Sequence, residues 1–189
     1  MKSSLAALCF ATLLCACATS RPDHFYILST QPPAPAVART APVTQVSLRV
    51  TVPSLFDRAE IIMNTSGDGV LVLEHERWAA PLSDLMGRAL ARDLEGRRSD
   101  LLVSVVPGVT QSSDPVFKLA VDVVQLTVRQ GQGTSIEAHW HIVDSRTGKD
   151  QLGGEVFSAT PGQDDYAGAA QALSRCLGML ADRLAGQLQ

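Results

Sequence analysis

Cysteine is scarce and badly placed for cross-linking: Cys9, Cys15 and Cys17 crowd the first stretch of the chain and Cys176 stands alone near its other end. There is no basic block either. The 16 Lys and Arg are outnumbered by 19 Asp and Glu, for a formal net charge of −3, which removes the electrostatic footprint that nucleic-acid binding needs. Leu5 to Leu14 is apolar for only about ten residues, half of what a membrane-spanning helix requires. Catalytic signatures are missing as well. The sequence holds no Gly-x-Ser-x-Gly elbow, no Cys-x-x-Cys pair and no His-Glu-x-x-His, and Gly67-Asp68-Gly69 lacks the lysine and helix of a phosphate loop. The carboxylates Asp57, Glu60, Asp68, Glu74, Glu76 and Asp164 are scattered over turns, where solvated surface explains them. No enzyme and no cofactor are expected.

What is present begins at the N-terminus. Lys2, the apolar run and a small-residue close form the three-part layout of an export signal. Its end, Leu14-Cys15-Ala16-Cys17, resembles the lipobox of bacterial lipoproteins, which implies cleavage after residue 16 and lipid attachment at Cys17. Cys15 is the competing site, but Leu14 would then precede the cut, where a small residue is wanted. A plain signal peptide cut nearby would leave an exported soluble protein. The lipobox reading divides the chain into a signal at 1–16, a short lipid-anchored tether at 17–23, and one domain at 24–189 with a Pro/Ala-rich connection at 31–45. Cys176 is then the one free thiol, expected to be buried on a helix face.

Within the domain, His24 to Ser29 reads as a strand, and Val46, Leu48, Val50 and Val52 alternate with Ser47, Arg49 and Thr51 as a half-buried one. Glu60 to Asn64 and Val70 to Glu74 form a hairpin around Thr65 to Gly69, with Gly67 and Gly69 expected to supply positive backbone angles. Pro81 to Arg97 is an amphipathic helix, its stripe made by Leu82, Leu85, Met86, Ala89, Leu90 and Leu94. After a short strand at Leu101 to Val106, Val116 to Arg129 changes phase, which requires a bulge near Val123. Ser135 to Asp144 and Gln151 to Ala159 continue it as an antiparallel meander. A second helix, capped by Asp164 or Asp165, carries the stripe Tyr166, Ala169, Ala170, Leu173, Leu177, Leu180, Leu184 and Leu188. The expected class is α/β of the α+β type, with one mixed, largely antiparallel sheet of about seven strands packed by two amphipathic helices.

Two local patterns invite functional readings. Glu137, His139 and His141 share one face of a strand, a metal-like set, but Ile136, Ala138, Trp140 and Ile142 face the other way, so the row is what the solvent side of a half-buried strand looks like. No metal is expected. Glu76 to Leu82 leads into the first helix, with Trp78 as an apolar clamp before its start.

With that stretch the chain resembles the ABC-transport auxiliary lipoproteins of the PqiC and YmbA type. The resemblance runs in order through Cys17, Tyr26 to Leu28, Val50 to Pro53, Leu55 to Arg58, and Arg77 to Leu82. Phe56 stands where tyrosine is more familiar, and Ala59 and Ile61 where proline and glutamine are. The resemblance implies an outer-membrane lipoprotein, held at the inner leaflet through Cys17, that serves as docking subunit for an MCE-domain periplasmic protein and its permease in lipid transport. A homo-oligomer is conceivable, and no nucleic-acid partner is expected. Leu55, Phe56, Asp57 and Arg58 are the candidate partner contacts, and a turn held by Asp57 or Arg58 is the equally open alternative. Arg77, Trp78, Pro81 and Leu82 read as structural motif positions. A structural lipoprotein of another envelope assembly and a direct lipid carrier are the alternative functions.

Overall fold

The structure, a computed structural model, describes residues 21–31, 43–106 and 115–189. The expected signal peptide at 1–16, the expected lipidation site Cys17 and most of the Pro/Ala-rich connection lie outside the described residues. Among the described residues, eight strands and two helices follow in the order β1 (His24–Tyr26), β2 (Thr44–Thr51), β3 (Glu60–Asn64), β4 (Val70–Trp78), α1 (Leu82–Arg97), β5 (Leu101–Val105), β6 (Phe117–Arg129), β7 (Gly133–Asp144), β8 (Asp150–Ala159) and α2 (Tyr166–Ala185).

The α+β class and the two amphipathic helices are as expected. The strands, however, divide into a five-stranded sheet of order β5-β2-β6-β7-β8 and a three-stranded sheet of order β1-β4-β3. The pairings β1 with β4, β2 with β5 and β2 with β6 are parallel, and β3 with β4, β6 with β7 and β7 with β8 are antiparallel. Parallel pairs need long crossovers, and α1 with its flanking chain supplies the one between β2 and β5. The register break in β6 falls between Val123 and Gln125. It brings Leu126 and Val128 onto the same buried face as Val121 and Val123, which is what the phase change in the sequence demands.

Both helices lie on the inner face of the larger sheet. Leu90 and Leu94 of α1 and Leu173, Leu177 and Leu180 of α2 are fully buried between the layers with Leu48, Leu119 and Ile136. The helix caps differ in kind. Asp165 caps α2 through its own carboxylate, which accepts from the Gly168 amide at 2.6 Å, whereas Pro81 leaves α1 without a side-chain cap of its own. Arg98, just past the end of α1, donates to the carbonyl of Ala185, the last residue of α2, and to that of Leu188 beyond it, so the final carbonyl of α2 is satisfied from beside the neighbouring helix.

The smaller sheet adjoins the end of β6, where the Asn64 side-chain oxygen accepts from the Val128 amide at 2.8 Å. Ile61, Ile62 and Met63 are all buried there. In the turn that follows, Gly67 takes the positive φ (+83°) and Gly69 does not.

Candidate functional site

The loop between β2 and β3 and the start of α1 form one unit. Pro53 closes the turn by accepting from the amides of Phe56 and Asp57. Phe56 then points inward and is 8% exposed, a member of the core, so its side chain is not available at the rim of an interface. An aromatic side chain in a loop between two strands gains more by filling the core than by facing water. Asp57 is also occupied. Its two carboxylate oxygens accept from the Ser83 amide and the Ser83 hydroxyl, each at 3.0 Å, which supplies from a distant loop the cap that Pro81 cannot give. Of the four candidate contacts, Leu55 is 45% exposed and Arg58 is exposed but paired to Glu60 at 2.8 Å.

The motif around Arg77 ties the same region to β1. Arg77 reaches Glu60 at 3.2 Å and Asp23 at 4.0 Å, and His75 holds Asp23 at 2.9 Å. Trp78 is the last residue of β4. It is buried, and its amide donates to the Ala59 carbonyl while that of Ala79 donates to Tyr26. Pro81 is exposed at the N-cap, and Leu82 is fully buried as the first residue of α1. The motif pieces that are separate in sequence, at Tyr26, Asp57 and Arg58, and Arg77 to Leu82, therefore meet at one corner, where they hold strand, loop and helix together.

Two acids are buried: Glu76, which was expected with the solvated carboxylates of turns but lies inside β4, and Asp93, which the sequence reading did not single out. Glu76 accepts from the Tyr26 hydroxyl at 2.6 Å and from His24 Nδ1 at 3.1 Å. Burial pushes its carboxyl up, but these two hydrogen bonds and the His24 charge outweigh it and hold it below the usual range. Burial and the same carboxylate raise the Tyr26 phenol to about 12. Asp93, on α1, is 1% exposed. One of its oxygens accepts from the Gln31 amide at 2.8 Å and lies 3.7 Å from Arg97, and Oδ2 is buried without a partner. Burial raises its carboxyl to about 6 against the pull of Gln31 and Arg97. A signal for Asp93 exists in the sequence: it falls in the i, i+3, i+4 row of Met86, Ala89, Leu90 and Leu94, where an apolar residue belongs.

The solvent face of the five-stranded sheet carries an open trough. Register aligns Arg49, Ala120, His141 and Leu152 in one row and Thr51, Asp122, His139 and Gly154 in the next. The small side chains of Ala120 and Gly154 leave a trough of about 560 Å³ along these rows. Leu152, on edge strand β8, is 80% exposed at its margin. His139 lies 3.4 Å from Glu137 and His141 3.2 Å from Asp150, and among the described residues no three His, Cys, Asp or Glu side chains are grouped to hold a metal. Cys176 is fully buried in α2, and desolvation raises its thiol to about 11.

Solved structures share this fold. An uncharacterized protein superimposes with a TM-score of 0.72 at 15% identity, over 89% of this chain and all of its own. A Xanthomonas campestris protein of the family DUF330 does so with a TM-score of 0.67 at 18% identity, over 87% of this chain and 94% of its own. No match was found among proteins of curated function. The family described as the ABC-type transport auxiliary lipoprotein component matches residues 26–185, a span that holds the corner motif, both sheets and both helices, and the chain belongs to that family.

Proposed function

We propose that this protein is an outer-membrane lipoprotein, anchored through Cys17, that docks the periplasmic MCE-domain subunit of an ABC lipid-transport system and so positions the conduit at the membrane. Family membership supports the transport assignment. The observation that favours docking is the open trough on the larger sheet, with Leu152 exposed beside charged and aromatic-ring side chains, a mixture suited to a protein contact. The opposite face of that sheet is filled. Leu90, Leu94, Leu173, Leu177 and Leu180 are at most 1% exposed, which leaves no room between helices and sheet for an acyl chain unless they separate.

Photo-reactive side chains placed at Leu152 and, separately, at Leu55 in intact cells test the reading. Cross-linking of the MCE-domain subunit from Leu152 is the expected result. Cross-linking from Leu55 alone would move the docking surface to the β2–β3 loop, and co-purification that fails from both positions in folded protein would refute docking.

A further inference from the structure

We propose that the outward face of β1 is a second membrane contact, in which Phe25 and Ile27 lie in the headgroup region of the leaflet that holds the lipid anchor. The proposal rests on the reading that Cys17 is lipidated.

Strand β1 and its continuation alternate in a way that needs an explanation. His24 and Tyr26 turn toward Glu76, and Leu28 is in the core. The positions between them face solvent, yet they hold Phe25 and Ile27, each 64% exposed. Outward positions of a half-buried strand are normally polar, and apolar side chains on an unpaired edge invite a partner. β1 is such an edge, since among the described residues it pairs only with β4.

The tether identifies the occupant. Asp23 is fixed to the domain by His75 and lies beside Arg77, so the chain between anchor and first fixed point is Ala18 to Pro22. At no more than ~3.5 Å per residue it spans about 20 Å. The headgroup layer is itself roughly 5–7 Å deep on each side of the hydrocarbon, so the domain faces the leaflet with the end on which β1 begins. Phe25 follows the fixed point by two residues. An aromatic ring at this depth, preceded by the exposed Arg21, matches the interface of an anionic leaflet. Leu152 is more exposed still, but it sits on the far edge of the other sheet and has no such tether.

The test uses the mature lipidated protein in phosphatidylethanolamine/phosphatidylglycerol vesicles, with nitroxide labels on Phe25→Cys, Ile27→Cys and Leu152→Cys. Cys176 is buried and does not compete for label. Near-UV circular dichroism of Trp78 and Trp140 confirms that each labelled protein is folded. The labels at 25 and 27 should gain collisions with oxygen and lose them with a water-soluble nickel chelate, relative to 152. Two results would overturn the contact: access to nickel equal to that at 152, or shielding from both reagents, which would mean a second copy paired on the β1 edge. Intact mass separates the premises. Acyl mass on Cys17 with hydrated labels removes only this contact, whereas its absence removes the anchor and the contact together.

Discussion

Replacing Asp93 by asparagine should change how stability depends on pH by a predictable amount. The ordinary aspartate value of 3.8 is raised to about 6 in the folded chain. Between these values the folded protein keeps a proton on Asp93 that the unfolded chain has released, so stability falls as pH rises through the window, and above it the full cost is present. At 1.36 kcal/mol per pH unit the difference from 3.8 to about 6 is worth about 3 kcal/mol. The asparagine side chain would keep an oxygen for the Gln31 amide, which Asp93 Oδ1 now accepts at 2.8 Å. Arg97 keeps the Asp93 and Gly178 carbonyls and Asp182, so little else is lost. Urea midpoints of wild type and Asp93→Asn from pH 4 to 7.5 measure the effect, and their difference cancels groups common to both. The variant should gain on wild type by up to about 3 kcal/mol across that range. Parallel curves would show that Asp93 ionises in the folded chain as readily as in the unfolded one, and the reasoning from burial would fail.

Two further substitutions probe the corner and the larger sheet. Asp57→Ala removes both acceptors from Ser83 and should cost about 0.5–2 kcal/mol, the usual worth of a helix cap; a melting point unchanged within error would show that the bond is not made in solution. Gly153→Ala would put a methyl group into the indole of Trp140 and should destabilise by about 1–3 kcal/mol, with loss of the near-UV signal of that ring.

The helices and the meander could be read from the sequence because each buries one face, and the period of its apolar residues reports that directly. The β6 bulge was legible for the same reason, since a one-residue slip would otherwise turn Leu126 and Val128 to solvent. The division into two sheets was not. It depends on the parallel pairings of β1 with β4 and of β2 with β5 and β6, which join segments far apart in the chain and leave no local mark. The candidate site is hard to read where a side chain has two physical uses. Phe56 and Asp57 have the composition of an interface, but the core claims the ring and the bare end of α1 claims the carboxylate. Nothing within residues 53–59 announces that α1 lacks a cap of its own; Pro81 does, because proline at that position brings no side-chain acceptor.

The same competition explains how the start of the domain is held in place. β1 is three residues long, and a strand that short on a sheet edge would peel from β4 if it alone bore the load. It does not bear it alone. Beyond β1 the chain runs between the helices: Leu28 is buried, the Ser29 amide donates to the Ser174 hydroxyl at 3.1 Å, and the Gln31 amide donates to Asp93. Gly178 on α2 leaves the space that the Gln31 side chain fills, since a methyl there would collide with it. A pull on the N-terminus therefore meets hydrogen bonds to both helices after the strand pairs. On this reasoning the cost of keeping Asp93 charged is offset by what it fastens, because an apolar residue in its place would leave the Gln31 amide without an acceptor. Asp93→Leu should thus weaken the clasp at every pH, whereas Asp93→Asn relieves the charge and keeps the bond. Hydrogen exchange at Ser29 and Gln31 distinguishes them: faster in the leucine variant, unchanged in the asparagine one, and equal rates in both would mean that Asp93 does not hold the segment.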